Sequence, residues 1–137
     1  MVYYIESSAL LAALLEADAD VRALLASGGR MVTSALTFAE CLRGLVRARA
    51  SGRLSVAEEE ALIATVAALR SRCAIIPVST AVLDRVALSF PVEPVRTLDA
   101  VHLASVEALS LIRATLVVVT RDRRVRENAI KMGFGAA

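Results

Sequence analysis

The chain has 137 residues, enough for one domain with a sizeable core. A hydrophobic fraction of 57% and a mean hydropathy of +0.63 exceed the ordinary apolar share, while the net charge is only +2. The longest uncharged run near the N-terminus, Ser7–Leu15, is about half of what a spanning helix needs, which excludes a membrane span there. No basic leader precedes it, so no targeting segment and a cytoplasmic location are expected. The apolar surplus is instead expected to be covered by an oligomer or a partner chain.

Taken in order, Val2–Glu6 is a β-branched and aromatic run that reads as the first strand. Helices follow over about Ser8–Glu16 and Asp18–Ala26, with Asp18 a candidate cap. "RMVTS" (Arg30–Ser34) reads as strand 2 and Leu36–Ala50 as a helix. Ser55 and Glu58 have the spacing of a capping box, opening a long helix to about Arg72. "AIIPV" (Ala74–Val78) reads as strand 3, and Ser79 or Thr80 caps a short helix to about Ser89. Prolines 91 and 94 keep "FPVEPV" irregular, after which Thr97 is expected to cap a helix over Leu98–Leu109. "TLVVV" (Thr115–Val119) is the strongest strand, and a last helix over about Asp122–Met132 stops at Gly133. No linker or repeat divides the chain, so residues 1–137 are expected to form one domain. Apolar strands alternating with helices predict an α/β fold of three layers, its central parallel sheet of four or five strands.

In such sheets ligands gather beyond the carboxyl ends of the strands, and polar residues there are the candidates. Glu6 ends strand 1, Asp122 follows the last strand, and Asp99 lies in the first turn of its helix. Glu40 lies about one and a half turns into the helix after strand 2. Asp99 and Asp122 also suit the positive ends of their helices, and Glu40 suits a solvated face near Arg43 or Arg47. Glu6 has no comparable reading, because a carboxylate at the end of a buried strand is costly unless something offsets its charge. Crowded carboxylates repel, and a divalent cation holds them ionised. An all-oxygen set points to Mg²⁺ or Mn²⁺, and such sites perform phosphoryl chemistry. A single histidine, His102, with Cys41 and Cys73 makes structural zinc improbable, and both cysteines read as reduced, buried thiols.

Ser8 and Thr120 flank the first and last acids as polar support, or cap the strand-to-helix turns. Fifteen of the sixteen basic residues are arginine, through either codon preference or a need for guanidinium chemistry. Arg43 and Arg47 follow Glu40, and Arg121 and Arg123 flank Asp122, so these four read as contacts to a polyanionic backbone or as an ordinary charged face. With Tyr3, Tyr4, Phe38, Phe90 and Phe134 the only aromatics, no base-stacking platform is evident.

"YIESSAL", "TSALTFAECLRGL", "RTLDAVHLASVEAL" and "VVVTRDRRVRENAIKMG" together resemble the PIN-domain ribonucleases, and within them the VapC-type toxins. The resemblance spans nearly the whole chain, and its third segment is the most specific. It implies a Mg²⁺- or Mn²⁺-dependent endoribonuclease whose acidic site is Glu6, Glu40, Asp99 and Asp122. It also implies a homodimer, or a heterotetramer or larger assembly with an antitoxin that covers the groove and can place an arginine in the acidic site. One position departs from the pattern: the first acid of the family is normally aspartate. Glu6 keeps the charge but moves the oxygens by one methylene, so the alternative is a catalytically impaired domain that binds RNA or sequesters antitoxin. A phosphoacceptor domain fits less well, since "IPVST" carries no acid and Lys131, the only lysine, lies in the last helix.

Overall fold

The β-branched runs of the chain form five parallel strands in the order β3-β2-β1-β4-β5, as the computed structural model of all residues Met1–Ala137 describes them. The strands are β1 (Val2–Ile5), β2 (Arg30–Ser34), β3 (Cys73–Ile76), β4 (Leu116–Val119) and β5 (Gly135–Ala136). Parallel neighbours need long crossovers. These are supplied by α1 (Ser7–Leu15), α2 (Ala19–Ala26), α3 (Ala35–Ala50), α4 (Val56–Arg72), α5 (Thr80–Val86), α6 (Thr97–Glu107) and α7 (Arg123–Lys131). No helix is long and apolar enough to cross a membrane.

Side chains alternate along the strands, so neighbouring residues serve opposite layers. Tyr4, Val32 and Val118 pack under α5, α6 and α7, with Val82, Leu103, Val106 and Val125. Ile5, Met31 and Val119 face α1, α2 and α3, with Leu10, Val21 and Cys41. Burial on both faces is why β1 and β4 read as continuous apolar runs. A third cluster, Phe38, Leu45 and Val66, joins α3 to α4.

The register brings the functional rim together. Ile5 pairs with Val119, and the Glu6 backbone N–H donates to the Val119 carbonyl at 3.0 Å, which sets Glu6 beside Thr120.

Several boundaries differ from the sequence reading. β1 ends at Ile5, because Glu6 has become the N-cap of α1. β3 starts at Cys73 and stops before Pro77, whose missing N–H ends the ladder. The helix after β3 ends at Val86 rather than Ser89. Thr97 is the first residue of α6 and not its cap; Arg96 holds that position and makes no side-chain cap bond. The short strand β5 follows Gly133, whose φ of +86° reverses the chain out of α7. Asp18 and the Ser55–Glu58 capping box stand as expected.

Candidate active site

Glu6 is 2% exposed, yet its carboxylate is fully provided with donors. Oε1 accepts from the Ser7 hydroxyl at 2.7 Å and from the Ser8 N–H at 3.1 Å. Oε2 accepts from the Thr120 hydroxyl at 2.7 Å and from the Ser8 hydroxyl. A carboxylate offers about four acceptor positions, and all four are taken. Burial alone would raise the Glu6 pKa, but the adjacent His102 ring and the Ser8, Ser7 and Thr120 hydroxyls outweigh it and hold the carboxyl below its ordinary range. Thr120 also accepts the Asp122 N–H at 3.0 Å, and Ser8 accepts the Arg121 N–H at 2.8 Å. One hydroxyl network therefore ties the end of β1 to the turn after β4.

Glu40 reaches the same rim from α3. The Ser7 Oγ lies between Glu6 Oε1 and Glu40 Oε1, 3.0 Å from the latter, so one hydroxyl serves both carboxylates. His102 Nε2 lies 2.6 Å from the same Glu40 oxygen and 3.7 Å from Glu6 Oε1. Behind it, the Tyr4 hydroxyl bonds Nδ1 at 2.9 Å, which fixes the ring. Burial pushes the Tyr4 phenol well above its ordinary range, so it stays a neutral partner. Donor atoms of Glu6, Glu40 and His102 all lie within 4.8 Å of one another.

Asp99 and Asp122 form a second, outer pair. Asp122 caps α7, accepting from the Val125 N–H at 2.9 Å through Oδ1. Its Oδ2 lies 3.5 Å from Arg96 Nη2, while Arg96 Nε lies 3.1 Å from Asp99 Oδ2. The two acids open, with Pro94, Arg96, Arg123 and Arg124, onto a cleft of about 420 Å³ whose lining is rich in charged side chains. Burial raises the Asp99 pKa; the Arg96 bond opposes this, and the charges of Asp122 and Glu6 add to it. That mutual influence links the outer pair to the inner one.

The four arginines singled out from the sequence have different surroundings. Arg123 is exposed beside the cleft, where it pairs with Glu127 at 2.9 Å. Arg43 and Arg47 line a separate groove next to Glu40, with Leu11, Leu36 and Leu98. Arg121 is already engaged by Asp18, through Nε at 2.7 Å and Nη2 at 3.2 Å, and ties β4's turn to α2. Cys41 is buried, and burial raises its thiol to about 12; Cys73, at the head of β3, is only partly buried. The expectation of two buried thiols therefore holds for the first alone.

Residues 3–131, nearly the whole chain, match the PIN domain family. The chain is a PIN domain. No curated protein sequence matches it. Among solved structures, it resembles PAE2754 of Pyrobaculum aerophilum at 20% identity and a TM-score of 0.66, covering 99% of this chain and 83% of that one. FitAcB of Neisseria gonorrhoeae has 20% identity and a TM-score of 0.67, with 99% and 96% covered. VapBC-1 of nontypeable Haemophilus influenzae has 15% identity and a TM-score of 0.64, with 100% and 97% covered. At these identities the likeness concerns the fold.

Three residues of this PIN domain's rim were not among those picked from its sequence: Ser7, His102 and Arg96. Their signals were spacings. His102 and Arg96 stand three residues on either side of Asp99, the interval that puts helical neighbours on one face. Ser7 adjoins Glu6.

The residues present suit a hard divalent ion. Asp99 and Asp122 offer oxygens only, while the inner set of Glu6, Glu40 and His102 adds one imidazole nitrogen. The Asp99 pKa is raised by burial and neighbouring acids, and a cation (the Arg96 guanidinium) already sits between Asp99 and Asp122. Glu40 makes its bonds through Oε1, leaving Oε2 free, and Asp99 bonds through Oδ2, leaving Oδ1 free. Glu6 differs, its acceptor positions being filled by the protein.

Proposed function

We propose that this PIN domain is a Mg²⁺- or Mn²⁺-dependent endoribonuclease, the toxin of a toxin–antitoxin pair, with Glu6, Glu40, Asp99 and Asp122 as its acidic site. The observation that carries this reading is the pairing of the four acids at one sheet rim: two share Ser7 and His102, two share Arg96. Glu40, Asp99 and Asp122 would hold the ion, and Glu6 would add its charge from behind. When bound, a divalent ion lowers the pKa of water and stabilises the oxygens of an in-line phosphoryl displacement. His102, fixed by Tyr4, orients Glu40, while Ser8 and Thr120 fix Glu6 and the turn that presents Asp122. Arg123 and Arg124 line the cleft, where guanidinium forks suit backbone phosphates. Arg43 and Arg47 extend the basic surface beyond Glu40, and Arg121 contributes charge from its pair with Asp18.

The partner reading rests on apolar surface. A groove of about 440 Å³ between α1, α2 and α4, lined by Leu14, Leu25, Leu62 and Leu69, suits an apolar antitoxin segment. Exposed Val78, Leu83 and Leu88, around α5, suit self-association into a dimer. The fold neighbours from Rickettsia felis and Haemophilus influenzae are VapBC proteins, which supports the same assignment, as does a neighbour described as a toxin–antitoxin complex from Klebsiella pneumoniae.

Purified chain, free of antitoxin, is expected to cut a structured RNA in Mg²⁺ or Mn²⁺ and not in a chelator. Equal cutting under both conditions would reject the metal site. A second reading, RNA binding without cleavage, is favoured by one observation only, the filled acceptor positions of Glu6. Activity that appears in Glu6→Asp where the native chain has none would establish it.

A further inference from the structure

We propose that Arg96 is a resident counter-cation of the outer acids, displaced when a divalent ion binds and then free to engage an RNA phosphate. This rests on the nuclease reading above and adds a regulatory and substrate-binding residue to it. Arg96 occupies the N-cap of α6, where a helix concentrates positive charge and a cation is disfavoured. It makes no cap bond there, and its side chain is 82% exposed, so neither helix stability nor packing accounts for it. Its polar partners are the two acids, Asp99 Oδ2 at 3.1 Å and Asp122 Oδ2 at 3.5 Å. It also stands in the lining of the one cleft that both acids share with Arg123 and Arg124.

The physical consequence is competition. A guanidinium lying between two carboxylates occupies Oδ2 of each and neutralises the charge that would draw in a divalent ion. Solvent-exposed ion pairs are individually weak, so a doubly charged ion can displace them at small cost. Once displaced, the side chain remains tethered at the cleft mouth as a planar fork of donors, the geometry that pairs with phosphate. The native arrangement thus keeps the acids neutralised while metal is absent, and hands a positive charge to the substrate when metal arrives.

The test is Mn²⁺ affinity measured by calorimetry on the purified chain without RNA, for the native protein, Arg96→Gln, Arg96→Lys and Asp99→Asn. Arg96→Gln is expected to bind Mn²⁺ about five- to tenfold more tightly, from the removal of two pairs that are exposed on the arginine side. Arg96→Lys should fall between it and native, because the ammonium retains the charge without the fork. In cleavage assays Arg96→Gln should raise KM for RNA with kcat nearly held, the opposite direction from its effect on the metal. A merely structural Arg96 would weaken both. Equal Mn²⁺ affinity in native and Arg96→Gln overturns the proposal while leaving the nuclease reading intact; no binding in any variant overturns both. Asp99→Asn binding as tightly as native would reject the metal site, and Arg96 with it.

Discussion

Asp99→Asn is expected to lower metal-dependent RNA cleavage by roughly a hundredfold or more while leaving the fold at least as stable as native. The two effects have one origin. Asp99 is partly buried among like charges, and burial together with Asp122 and Glu6 raises its pKa, so its ionised form strains the folded state. Asparagine keeps the shape and removes that charge. The Arg96 pair it gives up is exposed on the arginine side and contributes little to stability. Activity is thus exchanged against stability at a single carboxylate. Initial rates in Mn²⁺ and thermal unfolding in a chelator measure the two halves. A variant that loses activity and also melts well below native would show Asp99 to be structural, contrary to this account.

The largest effect on stability is expected at Glu6. Glu6→Gln keeps the length but offers one acceptor oxygen and a donating amide where four donors point inward. Leaving buried donors unmatched, and His102 without one of its nearby acids, should cost about 2–4 kcal/mol. Urea unfolding at neutral pH measures it. The effect should depend on pH. The folded Glu6 carboxyl is held below the ordinary glutamate value of 4.5. Its contribution is therefore complete above that value and is lost as pH falls through the lower, folded one. Asp99 acts with the opposite sign: its folded pKa is raised above 3.8, so acidification towards that range relieves it. Native protein should lose stability on acidification below about pH 4.5, and the Gln variant should show a flatter or inverted dependence. A constant gap between the two proteins from pH 7 to pH 3 would show that the hydroxyl donors do not act on the ionised carboxylate.

The sequence alone was informative wherever local chemistry is strong. The apolar run Thr115–Val119, the Ser55–Glu58 capping box and the Asp18 cap all declared themselves through propensity and spacing, and the structure keeps them, the strand one residue shorter at Leu116–Val119. The motif order carried the family, and the family model spans residues 3–131. Less legible were features whose cause lies far along the chain. β5 contains only Gly135 and Ala136, neither of which favours a strand; it exists because β4 offers an unpaired edge, to which Ala137 N–H and the Ala137 carbonyl also bond. Arg121 reads from the sequence as a phosphate contact or part of a charged face, and only the fold pairs it with Asp18, 103 residues away.

What the residues determined by themselves was the α/β alternation, the placing of acids after strands and at helix starts, and the charge those positions carry. Only the tertiary structure decided how the acids are partnered. Parallel register set Glu6 against Thr120, α6 packing brought His102 against Glu40 and Tyr4, and the α6–α7 rim put Arg96 between Asp99 and Asp122. The reason is physical: a carboxylate's protonation and its freedom to bind an ion depend on burial and on donors within a few ångströms. Those neighbours are chosen by folding, across separations that no local pattern encodes.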